Sequence, residues 1–263
     1  MIVRHYLHTD PAVAISYLFG CGGKSIGAVV DPVAAPAFYQ REAESSGLVI
    51  RYVIDTHAHA DHVSTGRVLA EAAGAEYLLH ESTGASFAFR AVRDGEQLVL
   101  GNVTAIVWHV PGHTPEHLAL VVTDRTRADE PWLVFTGHTL MVGDLGRTEL
   151  AASAEEGARS IAASAERLRT LPDHVLVLPG AFSGSVCGRG LSGTPFSSIG
   201  FERRHNRAFS VTDRGELVAL MLRDIPPRPP RAEETRAMNM GAAVADDASA
   251  RETPTPLAVG GTR

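Results

Sequence analysis

The chain contains 263 residues, of which 30 are acidic and 24 are basic, and its formal net charge is −6 at pH 7. Hydrophobic residues make up 44% of it and charged residues 21%, which excludes a wholly disordered, collagen-like or coiled-coil protein. No apolar run reaches the ~18 residues of a membrane span. The acidic balance disfavours nucleic acid or an anionic membrane as the partner.

The cysteine and histidine contents point to different properties of the chain. Two cysteines exclude a disulfide framework, and the chain begins without a basic-then-apolar leader, so we expect a cytoplasmic protein. Against the two cysteines stand 12 histidines. Neutral imidazole is the commonest metal ligand in proteins, so this surplus is the first indication of a metal site.

Segments typical of strands and helices alternate up to about residue 223. Strands are predicted at 12–19, 25–30, 48–54, 76–80, 97–100, 103–110, 118–123, 132–135 and 175–178. Helices are predicted at 34–46 and 64–73, from a capping box at 153–156, and less strongly at 198–209 and 213–222. This alternation predicts one α/β domain over residues 1–223.

The composition changes at Asp224, where a different kind of segment begins. Residues 224–263 contain no aromatic side chain and include a proline-rich run at 226–230. Such a segment buries too little apolar surface to offset its ordering entropy. We therefore predict a Pro/Ala-rich, largely disordered tail over 224–263, with at most a short helix near 233–243.

A dense histidine motif follows the predicted strand at 48–54 and precedes a helix. It reads Asp55-Thr56-His57-Ala58-His59-Ala60-Asp61-His62. Three imidazoles and a carboxylate cannot all face one way in a helix or strand, whereas a loop at a strand end can bring them together. Nitrogen and oxygen donors suit borderline metal ions, so we expect ligands here, with a solvated turn as the alternative.

Two further histidines follow later strands directly. His113 lies in Pro111-Gly112-His113-Thr114, and His138 lies in Thr136-Gly137-His138-Thr139. In each segment a glycine allows the chain to turn sharply at the strand end. The predicted metal ligands are therefore His57, His59, His113 and His138. His117 is close to His113 in sequence, but we do not expect it to be a ligand.

The histidine motif, together with the Pro-Gly-His-Thr turn, resembles the metallo-β-lactamase superfamily. Three further stretches resemble one branch of this superfamily, the glyoxalase II-like branch, and within it the persulfide dioxygenases. They are Val30-Asp31-Pro32, residues 143–148 (Gly-Asp-Leu-Gly-Arg-Thr) and residues 184–188 (Gly-Ser-Val-Cys-Gly). The resemblance covers most of residues 1–222. It implies a four-layer αββα sandwich with its site at one edge of two sheets, and a homodimer as the default assembly.

The resemblance also implies a ligand set, from which this chain departs at two positions. The family's dioxygenases hold one Fe(II) by two histidines, matching His57 and His113, and by an aspartate at the position of His138. Ala181 stands where the family's two-metal hydrolases carry a last histidine. Both departures disfavour a two-metal hydrolase. Asp61 and His62 are then expected to be catalytic groups that orient water and the ligating imidazoles.

Several residues are candidates for binding an anionic thiol substrate. Arg147, in the Gly-Arg-Thr stretch, is the first candidate for its carboxylates or phosphates. Weaker candidates are Arg189, Arg203 and Arg204, for which a surface ion pair is the alternative. Cys187 is a candidate for contacting or transferring sulfur, because its glycine-rich, arginine-flanked setting would favour the thiolate, and the alternative is a buried small apolar residue.

Three functions remain open at this stage. The leading one is an iron-dependent persulfide dioxygenase that uses O₂ to oxidise a low-molecular-weight thiol persulfide to sulfite and thiol, with one Fe(II) per chain. The second is a glyoxalase II-like thioester hydrolase that uses Zn²⁺ to activate water. The third is a non-catalytic domain whose altered metal site recognises a thiol or persulfide.

Overall fold

Two β-sheets form the centre of the protein, whose computed structural model describes residues 1–223, 225 and 227–242. The first sheet has six strands in sequential order, antiparallel from β1 to β3 and parallel from β3 to β6. Its strands are β1 (Ile2–His8), β2 (Ala14–Cys21), β3 (Ile26–Val30), β4 (Val49–Ile54), β5 (Glu76–His80) and β6 (Arg90–Val92).

The second sheet is built mainly from the following strands, in the order β14-β13-β10-β9-β8-β7. It is antiparallel except where β10 pairs with β13. The strands continue as β7 (Gln97–Leu100), β8 (Val103–His109), β9 (Leu118–Asp124), β10 (Leu133–Gly137), the separate hairpin β11 (Leu140–Met141) and β12 (Asp144–Leu145), then β13 (Leu176–Pro179) and β14 (Ser197–Ser198).

Helices cover the outer faces of the two sheets. In the described part of the chain, α1 (Pro36–Ser45) and α2 (Gly66–Ala73) pack on the first sheet, and α3 (Ala154–Leu168), α4 (Ile199–His205) and α5 (Arg214–Leu222) pack on the second. A further helix, α6 (Ala232–Asn239), packs instead against Ala60 and Leu150, and a 3-10 turn lies at Gly22–Lys24. The start of α3 is the predicted capping box, in which the Ser153 hydroxyl accepts a hydrogen bond from the Glu156 amide. None of these helices is both long enough and apolar enough to cross a membrane.

Three apolar cores separate four layers. Between the sheets, Phe19 of β2 packs with Phe135 of β10, their ring centroids 4.8 Å apart. On the outside of the first sheet, Tyr39 of α1 and Leu69 of α2 are fully buried, and Ile161 of α3 is buried outside the second sheet. The layers run helix, sheet, sheet, helix. The predicted four-layer αββα sandwich is confirmed.

The predicted elements agree with the observed ones within a few residues at most boundaries. The strands that the sequence did not reveal are β1, of seven residues, and β6, β11, β12 and β14, each of two or three residues. The four short strands contain too few alternations for a period of two to be recognised. The short strands form where another strand of the same chain supplies hydrogen-bond partners.

One edge of the sandwich holds the two sheets together next to the histidine loops. The Tyr17 hydroxyl donates to the Pro179 carbonyl at 2.6 Å, and the Ile15 amide donates to the Gly180 carbonyl at 2.7 Å. Both bonds join β2 of the first sheet to the end of β13 in the second. Loops that leave the two sheets at this edge are thereby kept in a fixed relation.

The segment after residue 223 includes α6, which lies where a short helix near 233–243 was expected. Its Ala232 is buried with Ala60 and Leu150. The further contacts of α6 are made mostly by polar side chains. The prediction for this segment considered only its apolar content and so did not take these contacts into account. Residues 243–263 lie outside the described residues, so the disorder predicted there and the domain boundary at 223 stay predictions.

Candidate metal centre

Three loops bring histidines to the same edge of the sandwich. Residues 55–62 follow β4, residues 111–114 follow β8, and residues 138–139 follow β10. The side chains of His57, His113 and His138 are each at most 1% exposed. Their ring centroids are 4.8–5.0 Å apart. The three rings therefore form a nearly equilateral, buried triangle.

Gly137 makes the turn that places His138 in this triangle. Its φ is +49°, a conformation that glycine adopts without strain. A Cβ at this position would lie 2.5 Å from Thr56 Oγ1 and 2.6 Å from His117 Cε1. Only a residue without a side chain fits at this point between the loops.

The hydrogen bonds of His57 and His113 determine which nitrogen of each ring is free. His113 Nδ1 lies 2.7 Å from the Arg147 carbonyl, which only accepts, so Nδ1 carries the proton. The Thr56 hydroxyl donates to Asp31 at 2.9 Å, so it accepts from His57 Nδ1 at 3.0 Å. In both rings Nε2 is left with its lone pair, as metal ligation requires.

The free nitrogens of the triangle fit a metal ion. One nitrogen from each of the three rings lies within 4.8 Å of the others. His113 Nε2 and His138 Nδ1 are 3.3 Å apart, close to the ~3.4 Å between two donors bound at about 2.1 Å to a tetrahedral ion. Among the described residues, His57 Nε2 is buried without a hydrogen-bond partner. A buried polar atom is rarely left so, and a divalent first-row metal would satisfy it.

Burial keeps these imidazoles neutral. It lowers the pKa of His57 well below the ordinary value, with the nearby imidazoles adding to the effect. Burial, with His138 beside it, lowers the pKa of His113 to about 3. Burial also lowers the pKa of His138. Neutral rings at pH 7 are the form that binds a metal, so protons do not compete for these sites.

His59 lies outside the triangle, although it was predicted to be a ligand with the other three. Its Nε2 is 3.3 Å from Asp31 Oδ1, and its ligating atom groups with those of Asp61 and His62 within 4.8 Å. Burial disfavours an imidazolium here, but the carboxylates of Asp31 and Asp61 outweigh it and raise the pKa of His59 well above the ordinary value. In the metal-free protein His59 is therefore a cation held between carboxylates.

The predicted catalytic pair Asp61 and His62 lies in this second group. His62 Nδ1 is 3.1 Å from Asp61 Oδ1. Within the described ranges, Asp61 Oδ2 and His62 Nε2 are buried and have no hydrogen-bond partner. These two atoms are free to bind water or a second cation beside the triangle.

His117 positions His138, a role that the sequence did not predict. Its Nε2 accepts a hydrogen bond from the His138 amide at 3.0 Å, and its ring stacks on His57 with centroids 4.7 Å apart. Its Nδ1 is 3.1 Å from Thr139 Oγ1. Both nitrogens are used, so His117 is not a ligand, as expected. No sequence signal distinguishes this supporting role from simple burial.

Two buried carboxylates hold the histidine loop, which we define as residues 57–64. Asp31 Oδ1 accepts from the Thr56 amide at 2.7 Å, immediately before the loop. Glu116 Oε1 accepts from the Ala58 amide at 3.0 Å. Asp31 appeared in the sequence only as part of Val30-Asp31-Pro32, and Glu116 carried no signal. Their role is visible only once the loops are brought together.

The predicted substrate residues divide between those near the triangle and those away from it. Cys187 Sγ lies within 4.8 Å of ligand atoms of Asp61 and His138. Arg147 is 3% exposed, and its guanidinium contacts Glu149 and the carbonyls of Val186 and Pro227. Its charge is already neutralised by a carboxylate.

Of the two alternatives for Cys187, the structure favours the buried neutral side chain over the thiolate. The side chain is fully buried, and burial, with Asp61 nearby, raises the pKa of the thiol well above its ordinary value. The arginine that follows it in sequence is directed elsewhere: Arg189 Nε lies 3.4 Å from Asp144, and Arg189 Nη1 donates to the Arg223 carbonyl. A glycine-rich, basic sequence thus surrounds a neutral thiol.

The remaining positions singled out in the sequence lie apart from the triangle or carry no donor. Arg203 pairs with Asp173, and Arg204 is exposed on the same helix, α4. Ala181 is buried against Met141 and Leu191. A methyl group therefore occupies the position at which the resemblance implied a second-site histidine.

Known proteins match this chain along most of its length. The metallo-beta-lactamase superfamily profile matches residues 14–180. The mitochondrial persulfide dioxygenase ETHE1 of Bos taurus is 30% identical over 169 residues, which is 62% of this chain and 62% of that protein. A hydroxyacylglutathione hydrolase of Rhodospirillum rubrum is 31% identical over 170 residues, covering 62% and 60%. The chain thus spans about three fifths of the length of these two relatives.

Solved structures extend the similarity to the whole sandwich. The crystal structure of ETHE1 from Myxococcus xanthus matches with a TM-score of 0.78 and 29% identity, covering 91% of this chain and 98% of that chain. The suspected resemblance is confirmed at the level of the family and of its persulfide dioxygenase and glyoxalase II relatives. Because the profile covers more than half of the sequence and includes the histidine motif, the chain belongs to the metallo-beta-lactamase superfamily.

Proposed function

We propose that this protein is an iron-dependent dioxygenase that oxidises a low-molecular-weight thiol persulfide to sulfite and the thiol. The observation that carries the proposal is the buried triangle of three neutral imidazoles with no carboxylate among them. The similarity to the bovine persulfide dioxygenase supports it. The superfamily consists largely of metal-dependent hydrolases and oxidoreductases, and an enzyme is the role that such a site fits.

The reaction balances with water as the third reactant. A persulfide RSSH, O₂ and H₂O give RSH and sulfurous acid, which ionises to sulfite, and the two sulfur atoms together lose four electrons, which O₂ accepts. A bound Fe(II) would supply the open coordination positions at which sulfur and O₂ meet. His57, His113 and His138 would hold that ion without adding negative charge. Their burial keeps bulk water away from the reacting sulfur.

Asp61 and His62 would manage the water that the reaction consumes. Asp61 Oδ2 is an ionised, buried acceptor, because the neighbouring His62 and His59 overcome the cost of burial and lower its pKa well below the ordinary value. Such an oxygen can orient a water molecule by accepting a hydrogen bond from it. His62, hydrogen-bonded to the other oxygen of Asp61, keeps the carboxylate in place.

Cys187 and Arg147 are proposed to contact the substrate directly, and Arg189 is proposed to act indirectly. The neutral thiol of Cys187, beside Asp61 and His138, would pack against the terminal sulfur rather than attack it. Arg147 would bind a substrate carboxylate by exchanging its contact with Glu149. Arg189 is held by Asp144, so its contribution would be to support the loop that carries Cys187.

A Zn²⁺-dependent thioester hydrolase is the second candidate. It is favoured by the group of His59, Asp61 and His62, which could bind a second ion, and by the similarity to a hydroxyacylglutathione hydrolase. Against it, position 138 offers no carboxylate to bridge two metals, and Ala181 offers no ligand at all. We therefore rank the dioxygenase first.

The test is metal analysis combined with an oxygen electrode. Protein purified without air is expected to carry about one iron per chain and to consume one O₂ per sulfite formed from glutathione persulfide. His113→Ala is the inactive control, since both enzymatic readings need this ligand. Zinc as the resident metal, with thioester cleavage and no O₂ uptake, would establish the hydrolase instead. Protein with neither metal nor turnover would fit a non-catalytic binding domain.

A further inference from the structure

We propose that α6 is a clasp for the metal centre, and that its Arg236 and Asn239 are positioning residues that hold the histidine loop in the metal-binding conformation. The proposal rests on the metal site of the proposed function, but not on which reaction that site supports. The two residues are three positions apart, so they lie on the same face of the helix.

Arg236 binds the backbone carbonyl of Ala58, the residue between His57 and His59. Its Nη1 donates to the Ala58 carbonyl and to Glu116 Oε1, both at 2.8 Å, and its Nη2 donates to Glu116 Oε2 at 2.9 Å. The Glu116 side chain is 2% exposed and the Arg236 side chain 14%. Glu116 also accepts from the Ala58 amide, so both polar groups of Ala58 are held through one ion pair.

Asn239 binds the loop further along. Its Nδ2 donates to the carbonyls of His59 and His62, each at 2.8 Å, and its Oδ1 accepts from the Ser64 amide at 2.9 Å. Two donors and one acceptor at one position are what an amide side chain provides and a carboxylate does not. Asn239 therefore fixes the backbone on both sides of Asp61.

The histidine loop needs such partners because it has no regular structure of its own. Residues 57–64 lie between β4 and α2 and belong to neither a helix nor a sheet. Their amides and carbonyls must find partners outside a ladder or remain costly to bury. Bonds from α6 restrict the loop before a metal arrives, and this lowers the entropy that metal binding must remove.

The clasp is itself attached at both ends. Ala232 is buried with Ala60 and Leu150 at the start of α6. Beyond its end, the Ser86 amide donates to the Met240 carbonyl at 2.9 Å. The helix thus bridges the loop after β5 and the histidine loop, and its position is determined by more than the two proposed residues.

The experiment compares Asn239→Asp and Arg236→Lys with the wild type. Asn239→Asp keeps the size and the acceptor but removes both donors, and Arg236→Lys keeps the charge but removes the paired hydrogen bonds to Glu116. Glu234→Gln is the matched control, because Glu234 is exposed on the same helix and pairs only with Arg231 across one turn in the described contacts. Urea unfolding verifies that each variant is folded.

Two readouts separate positioning from a merely structural role. In metal-free protein, hydrogen exchange is expected to be about tenfold faster than in the wild type or the control at the Ser64 amide of Asn239→Asp, because the carboxylate is repelled by the carbonyls of His59 and His62. The same increase is expected at the Ala58 amide of Arg236→Lys, because Glu116 loses its paired hydrogen bonds. Titration with Co²⁺ alone, followed by its visible absorption, should show affinity reduced by about tenfold with unchanged stoichiometry.

Co²⁺ affinity equal to that of the wild type in a folded variant would overturn the proposal, even if exchange became faster. If a variant does not fold, the wild type itself decides: Ser64 and Ala58 amides that exchange at unprotected rates would refute the clasp. Failure of the proposed function looks different. A wild type that binds Co²⁺ tightly but consumes no O₂ would reject the dioxygenase and leave the clasp intact.

Discussion

At the scale of single residues, His138 determines the charge of the centre. A divalent ion held by three neutral imidazoles keeps a net charge of +2, whereas a carboxylate at position 138 would reduce it to +1. The higher charge makes the ion a stronger Lewis acid and favours its reduced state over its oxidised state. An imidazole in place of a carboxylate therefore changes the properties of the site without emptying it.

This role predicts opposite effects for two substitutions. His138→Ala removes a donor and should lower metal affinity at least tenfold, as is usual for the loss of one ligand or its support. His138→Asp supplies a carboxylate and should maintain or raise affinity. The measurement is the metal-to-protein ratio after desalting, with the exposed His205→Ala as the control. Unchanged metal content in His138→Ala would remove this imidazole from the site.

At the scale of elements, the end of β10 is where the fold constrains the site most tightly. Gly137 has φ +49° and lies against Thr56, which immediately precedes the histidine loop, and against His117, which lies between β8 and β9. Three separate chain segments meet at this residue. The strand can therefore deliver His138 to the triangle only if position 137 has no side chain.

A pair of glycine substitutions tests this arrangement. Gly74, which ends α2, also has positive φ, +62°, but a Cβ there would meet nothing within 4 Å. Gly74→Ala should therefore cost only the backbone strain of about 1 kcal/mol. Gly137→Ala adds overlap with Thr56 and His117, so we expect a loss of about 2–4 kcal/mol and weaker metal binding.

The two variants are compared by urea unfolding and Co²⁺ titration. Equal stability losses in Gly137→Ala and Gly74→Ala would mean that the contacts at 137 relax without cost. Normal Co²⁺ affinity in Gly137→Ala would mean that β10 does not control the position of His138.

At the scale of the whole molecule, the metal-free protein buries a cluster of neutral histidines. Burial lowers the pKa values of His57, His113, His117 and His138 below the ordinary value of 6.5. An unfolded chain takes up protons on these rings below pH 6.5, while the folded chain does not. The stability linked to the neutral rings is thus present above pH 6.5 and lost as the pH falls.

We expect the unfolding free energy of metal-free protein to decrease from pH 6.5 to 4.5. Each ring that stays neutral contributes about 1 kcal/mol per pH unit. His59 acts in the opposite sense: its pKa is raised, so its contribution is complete below pH 6.5 and cannot offset the loss. Chelator-treated protein unfolded with urea at several pH values measures the slope.

His113→Gln provides the control for this pH dependence. It removes one buried ring whose pKa is about 3, so the slope should fall by about one proton. Stability that is constant between pH 6.5 and 4.5 would show that the rings are protonated in the folded chain as well.

Local patterns in the sequence were enough to predict part of this molecule. The strands that precede His57, His113 and His138 are visible as apolar runs, and the histidines follow them directly. What could not be predicted depends on distant residues. His59 lies beside Asp31, which is 28 positions earlier in the sequence. The burial that keeps the Cys187 thiol neutral arises only when the layers are assembled.

The C-terminal segment shows this limit most clearly. An argument from apolar content and proline predicts a segment without a core, and α6 does contribute little apolar surface. Its attachment depends on Arg236 and Asn239, whose partners lie 175–180 positions earlier or, for Glu116, 120. Hydrogen bonds over such separations leave no periodic signal in the sequence.

The position of α6 along the chain has a consequence for how the protein is made. A ribosome delivers the histidine loop, both sheets and every imidazole of the triangle before it delivers Arg236, which lies 178 residues after Ala58. Until that point the carbonyls of Ala58, His59 and His62 lack the bonds that α6 donates. During synthesis, therefore, every imidazole of the triangle is made before the helix that donates these bonds, and the histidine loop can acquire them only once Arg236 and Asn239 have been added.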